Sequence, residues 1–250
     1  MNGTSSKCSA RCSKGAAVYK RARHRHVAQF LTALDGELLR RSRCLLGGGT
    51  AIALRYGEYR ESVDVDFLIS DLVCYRDLRE LVRSAEGISP LLREGATAFP
   101  LIQPIRADQY GVRTSVEVDG APIKLEIVLE GRIELSTPGP QDALCGVSTL
   151  TPLDMAASKL LANSDRWLDA SVFSRDLIDL AMIDLPLSVL RTAVIKAEGA
   201  YGASVSRDLG KSIGRLREEQ GLLERCMRAL AVDVPRALLW KRVRRLERLL

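Results

Sequence analysis

Residues 45–67 read LLGGGTAIALRYGEYRESVDVDF. Gly47, Gly48 and Gly49 follow the apolar run Cys44-Leu45-Leu46 and precede Thr50-Ala51-Ile52-Ala53-Leu54, which places them at a strand-to-helix or helix-to-helix junction. Without Cβ atoms such a turn lets the backbone approach a phosphate. The helix that follows would aim free N–H groups and its positive dipole end at that anion. A plain turn has the same composition, so the glycines gain meaning from what comes next. Val63-Asp64-Val65-Asp66-Phe67-Leu68-Ile69 alternates, predicting a strand with Val63, Val65, Phe67 and Ile69 on one face and Asp64 and Asp66 together on the other. Two carboxylates this close repel unless a cation lies between them. Oxygen-only ligation suits Mg²⁺, whose shell is completed by water and substrate phosphates. A solvated edge strand would also account for the aspartates alone, but the glycine turn upstream weighs against it.

A two-metal site calls for a third carboxylate. Residues 114–130, TSVEVDGAPIKLEIVLE, read as two strands around an Asp119-Gly120 turn. In the second strand Ile123, Leu125, Ile127 and Leu129 share one face, leaving Lys124, Glu126, Val128 and Glu130 on the other. Glu126 is the candidate, with an ordinary polar hairpin face as the alternative. Thr151-Pro152-Leu153-Asp154 is a good helix start, so Lys159 and Arg166, seven apart, share a face if that helix runs past Asn163. There they could hold a triphosphate or stabilise a departing pyrophosphate, or form only a solvated surface. Ser174 can cap a further helix with Asp176 and Asp179 in its first turn, where the dipole favours acids without any function. Arg60 and Ser62 precede the aspartate strand and could contact phosphate oxygens, unless Arg60 is paired with Glu58 or Glu61.

The chain has 250 residues and a formal net charge of +6. Residues 1–43 carry ten Lys/Arg against two Asp/Glu, residues 206–250 twelve against six, and residues 44–205 fifteen against twenty-three. An acidic centre with basic ends fits a metal-binding core flanked by surfaces for a polyanion such as RNA; solubilising charge is the plainer reading. Few aromatics lie among these arginines, so phosphate contacts rather than stacking are expected. No apolar stretch approaches a membrane span of about 18 residues, and the start lacks a secretory apolar core, which points to a cytoplasmic protein. The six cysteines (8, 12, 44, 74, 145 and 226) show no disulfide framework and read as reduced thiols. Cys8-x-x-x-Cys12 with His24-x-His26 does not have standard zinc spacing. Residues 1–26 therefore read as a basic tail, with an amphipathic helix over 27–43. Residues 27–148 form a strand-bearing domain with a helix near 75–85 and a Gly/Pro-punctuated stretch over 87–111. Residues 149–250 form a helical lobe. The fold class is α+β, mixed and bilobed.

Gly48-Gly49-Thr50, then Gly57-x-x-Arg60-x-Ser62-x-Asp64-x-Asp66, Lys159-Leu-Leu-Ala162-x-x-x-Arg166 and Arg175-Asp176-x-x-Asp179-Leu180 occur in this order. Together they resemble the motifs of the AbiEii/AbiGii-type (MenT-like) nucleotidyltransferase toxins of the DNA polymerase β-like superfamily. The resemblance covers Gly47 to about Leu180. It implies an N-terminal polymerase β-like domain with a small mixed sheet, a C-terminal helical lobe, and Mg²⁺-dependent transfer of a nucleoside monophosphate from an NTP to an acceptor hydroxyl. It suggests a tRNA 3′ end as acceptor and a cognate antitoxin as partner. On this reading Asp64, Asp66, Lys159 and Asp176 are catalytic, with Asp64, Asp66 and Glu126 at the metal. Gly48, Gly49, Thr50, Arg60, Ser62, Lys159 and Arg166 hold the nucleotide. A transferase acting on a protein or small-molecule hydroxyl would not need the basic ends. A non-catalytic nucleic-acid binder would tolerate Asp64→Asn, and an inactive member of the fold is the remaining alternative.

Overall fold

The computed structural model describes residues 19–84 and 87–250. Cys8, Cys12 and the start of the expected basic tail lie outside the described residues. The first helix, α1 (Ala22–Ala33), begins before Val27. His24, Val27, Ala28 and Leu31 recur at three- and four-residue spacing, so His24 joins the buried face while Arg23 and Arg25 stay outside. The single helix expected over 27–43 is two, because Asp35 starts α2 (Gly36–Arg41) by accepting from the Glu37 and Leu38 N–H groups.

Then come β1 (Leu45–Leu46), α3 (Gly48–Arg55), β2 (Val65–Ile69) and α4 (Leu72–Arg83), the last capped by Asp71. The strands β3 (Leu101–Ala107), β4 (Gly111–Val118) and β5 (Ala121–Leu129) complete a five-stranded sheet of order β1-β2-β5-β4-β3. Only β2 and β5 pair in parallel, so the sheet is mixed, as expected. The β4–β5 turn is the anticipated one: Asp119 and Gly120 both have positive φ, 48° and 78°, as a tight two-residue hairpin requires. Strand β3 was not anticipated. It is an edge strand, mostly exposed and carrying Pro104, so it has neither the alternation nor the composition of an internal strand. A short ladder of β6 (Ala143–Leu144) with β7 (Val147–Ser148) follows.

One face of the sheet is apolar: Val65, Phe67, Ile123, Leu125, Ile127, Val112 and Val116 are each 0–1 % exposed. The buried sides of α1 and α4, with Phe30, Leu31, Tyr75 and Leu78, pack against the strands. The period of two therefore sends the alternate residues of β2, β5 and β4 to the opposite face.

The remaining helices are α5 (Pro152–Arg166), α6 (Arg175–Ile183), α7 (Leu187–Tyr201), α8 (Ser204–Glu218), α9 (Leu222–Ala229) and α10 (Arg236–Arg245). The chain divides into two compact units. One runs through Ala51 and resumes over Val63–Thr151; the other joins Ile52–Ser62 to Pro152–Leu250. In the second unit α5 packs against α6, α7 and α8, and Lys196 of α7 makes an ion pair with buried Asp154 of α5. Residues 52–62 are tied in by the Glu61 N–H donating to the Leu230 carbonyl (3.2 Å) and the Asp233 N–H to that of Tyr59 (2.7 Å).

Candidate active site

Two constellations of charged residues arise, one in each unit. In the first unit the β1–β2 ladder ends with the Gly47 N–H donating to the Asp66 carbonyl at 2.8 Å, and the next residue opens α3. Gly48 has φ +66°, and a Cβ built there would lie 2.1 Å from Asp66 Oδ2. Only glycine meets both constraints, so the turn brings the N-terminal end of α3 against the Asp66 carboxylate. Gly49 and Thr50 are buried, whereas Gly48 keeps part of its surface exposed.

Asp64 is exposed just before β2, and Asp66 is half-buried within it. Across the parallel ladder Asp66 pairs in register with Glu126. The expected third carboxylate thus stands on the neighbouring strand, about 5 Å away in backbone terms, on the same face. Glu126 itself is met by Lys124 (3.0 Å) and Arg113 (3.4 Å). The row continues, because Arg113 is registered with Arg106 on β3. Arg106, Arg113, Glu126 and Asp66 therefore cross four strands on the polar face. Among the described residues no three His, Cys, Asp or Glu side chains converge tightly enough to hold a metal ion unaided. The oxygen-only set still fits Mg²⁺, which commonly takes one or two carboxylates and fills its shell from phosphates and water.

In the second unit, α5 continues past Asn163 to Arg166, so Lys159 and Arg166 do share a face. Both point at α6. Lys159 Nζ donates to Asp176 Oδ1 (2.9 Å) and lies 2.7 Å from Asp179 Oδ2. Arg166 forks onto Asp176 with Nε and Nη2, at 2.7 and 3.0 Å. Arg60 forks onto Asp179 at 2.6 and 2.8 Å and gives its remaining nitrogen to the Glu61 carbonyl; the Tyr59 hydroxyl also donates to Asp179, at 2.6 Å. Burial alone would raise the Asp176 and Asp179 pKa values, but Lys159 and Arg166 around the first, and Arg60 and Lys159 around the second, hold both carboxyls below the usual range. Burial pulls Lys159 down, yet the two carboxylates outweigh it and keep the ammonium charged. Three cations face two carboxylates, and the surplus charge reaches solvent through Arg166, whose side chain is 36 % exposed.

The geometry answers several expectations. Lys159 is not on a solvated surface, and Asp176 and Asp179 do more than favour a dipole, because all three are buried and paired. Arg60 pairs with neither Glu58 nor Glu61 through their carboxylates, but with Asp179, 119 residues on. Ser174 does not cap α6 with its side chain, since both it and Phe173 take left-handed backbone. Ser62 lies half-buried between Arg60 and Asp64. Sequence reading missed Tyr59 and Arg113. For Arg113 a signal existed: counting outward from the two-residue Asp119-Gly120 turn sets it opposite Glu126. Tyr59 had none. The four described cysteines, at 44, 74, 145 and 226, form no disulfide. No helix among the described residues is long and apolar enough to cross a membrane.

The sequence model of the AbiEii family, described as nucleotidyl transferase AbiEii toxins of type IV toxin–antitoxin systems, matches residues 29–244. No curated protein matches the sequence. Among solved structures the chain is similar to MenT4, a nucleotidyltransferase toxin of Mycobacterium tuberculosis H37Rv, with 18 % identity, 94 % of this chain and 87 % of that chain covered, and a TM-score of 0.46. It is also similar to JHP933 of Helicobacter pylori, with 16 % identity, 92 % and 96 % coverage and a TM-score of 0.45.

Proposed function

Because this chain belongs to the AbiEii family of nucleotidyl transferase toxins, we propose that it transfers a nucleoside monophosphate from an NTP to the 3′ hydroxyl of a tRNA in the cytoplasm. The acceptor oxygen forms a bond to the α-phosphorus as the bridging bond to pyrophosphate breaks. The observation that carries this reading is the left-handed Gly48 pressed against Asp66 at the start of α3, with Asp66 in register with Glu126. Asp64, Asp66 and Glu126 would hold Mg²⁺, one ion or two, which when bound would neutralise phosphate charge and lower the pKa of the acceptor hydroxyl. The Gly48-Gly49-Thr50 turn would steady a phosphate through the partly exposed Gly48 at the start of α3, where the dipole favours it. Ser62, two residues before Asp64 in the chain, would donate its hydroxyl to a phosphate oxygen. On the helical unit Arg166 is the nucleotide-binding candidate, its orientation fixed by Asp176, which Lys159 also holds. Arg60 contributes by holding Asp179, and through it Lys159. The basic ends of the chain support a polyanionic acceptor. Membership of a toxin–antitoxin family implies an antitoxin as the cellular partner.

The test incubates the protein with Mg²⁺, total tRNA and each α-labelled NTP in turn, beside an Asp64→Asn/Asp66→Asn variant. Label in tRNA that vanishes in the variant is the expected result. Label only in protein would replace this reading with a protein-modifying one.

A further inference from the structure

The second unit contains a groove of about 820 Å³ that neither constellation uses. It lies between the residue that follows α5, Trp167, and the outer side of α8. Val205, Leu209, Ile213 and Leu216 of α8 are buried, which turns Arg207, Lys211 and Arg217 outward. With Arg215, these give the groove four cations against Glu218 and Glu219. Arg217 pairs with Glu247 on the surface at 3.0 Å, and exposed Arg207 pairs with the mostly buried Asp208 at 3.4 Å. A surface pair such as Arg217 with Glu247 is weak, so a competing phosphate can displace it.

Trp167 is held in place by its backbone. Its N–H donates to the Asn163 carbonyl at 2.8 Å, and Arg215 Nη1 donates to the Trp167 and Leu168 carbonyls at 3.1 and 3.3 Å. Lys211 Nζ stands 5.6 Å from the centre of a Trp167 ring. A partly exposed aromatic ring on an anchored backbone and flanked by cations is the chemistry of a base-stacking platform. The groove also begins one residue from Arg166, the outward cation of the buried cluster.

We propose that this groove binds the single-stranded end of the acceptor RNA, with one base stacked on Trp167 and the adjoining phosphates on Arg207, Lys211 and Arg217. The proposal rests on the acceptor being RNA, as argued above. It extends that reading by giving the RNA a place on this chain.

The full chain carrying Trp240→Phe keeps Trp167 as its only tryptophan, so its fluorescence reports the groove directly. Titration with a 12-nucleotide single-stranded RNA ending in CCA should give saturable quenching. The log–log salt slope should be about −2, as three phosphate contacts on a single strand give. Separately, in the natural background and by anisotropy of the same labelled RNA, Trp167→Ala should weaken binding about 10- to 100-fold, while Trp167→Phe retains most of it. Lys211→Glu/Arg217→Glu should weaken binding at least about 10-fold, with circular dichroism confirming the fold. Unchanged RNA affinity in both Trp167→Ala and the double-glutamate variant overturns the proposal, whatever the transfer assay shows. So does equal binding of a duplex RNA, or binding of poly-glutamate but not RNA, which would mark the groove as a site for an acidic protein. If the groove binds RNA but no NTP labels it, the proposed reaction fails while the groove assignment stands.

Discussion

Asp64 lies open to solvent at the entrance to β2, whereas Asp179, 0 % exposed, is met by a tyrosine, an arginine and a lysine. The two carboxylates belong to constellations of opposite character. On the sheet, Asp64, Asp66 and Glu126 lie along one polar, partly accessible face, where Lys124 and Arg113 meet Glu126 and the start of α3 meets Asp66. On α5 and α6, opposite charges are already paired in the interior, and breaking a pair strands a charge there. If the first serves the proposed transfer and the second holds the helical unit, they should respond differently to mutation.

The sharpest break in the comparison would come from Asp64→Asn/Asp66→Asn. Transfer should fall on the order of 10³-fold or more, because catalysis of phosphoryl chemistry is nearly all positioning and electrostatics. The melting temperature should move less than in Asp179→Asn, because neither aspartate is fully buried. A large loss of stability in calorimetry would mean the carboxylates hold the sheet together and are not reserved for a ligand.

Asp179→Asn tests the other side. It leaves Arg60, 4 % exposed, and Lys159, 6 % exposed, without a full counter-charge, at a cost of about 3–5 kcal/mol. For a chain of this size that is roughly 10 °C in melting temperature. If the variant melts normally yet loses transfer, Asp179 serves the chemistry directly and the contrast collapses. Gly48→Ala comes next, since the added Cβ faces both a positive φ and the Asp66 carboxylate. Transfer should drop about 10²-fold through misplacement of Asp66, with a stability loss on the order of 1–2 kcal/mol from the strained backbone.

Much of the first constellation was legible because it is local. The spacing of Asp64 and Asp66 needs only the period of a strand, and the Asp119-Gly120 turn fixes which residues face Glu126. What stayed hidden depends on long-range contacts or on absent patterning. Nothing near Tyr59 and Arg60 announces a partner 119 or 120 residues away, so the assignment of residues 52–62 to the helical unit could not be read. Strand β3 escaped because an exposed edge strand with a proline buries too little to imprint a period. The early start of α1 was masked by arginines that lie on its outer side.

Acid should resolve the two constellations by the smallest but most selective effect. Asp176 and Asp179 have folded-state pKa values below their ordinary 3.8, so their stabilising contribution is complete above that value and is lost as pH falls through the lower folded values. Lys159 is shifted the opposite way, above 10.5, so its share is present below that pH and fades only in stronger alkali. Between these limits the cluster should contribute a constant amount. Both tryptophans, Trp167 and Trp240, belong to the helical unit, so their fluorescence reports its unfolding without a signal from the sheet. That signal should stay flat from neutral pH down to about 4 and change below it, and Asp179→Asn should lose part of the acid dependence. A tryptophan transition centred near pH 5 or 6, unmoved by Asp179→Asn, would mean that other groups govern this unit and that the buried cluster is not what holds it.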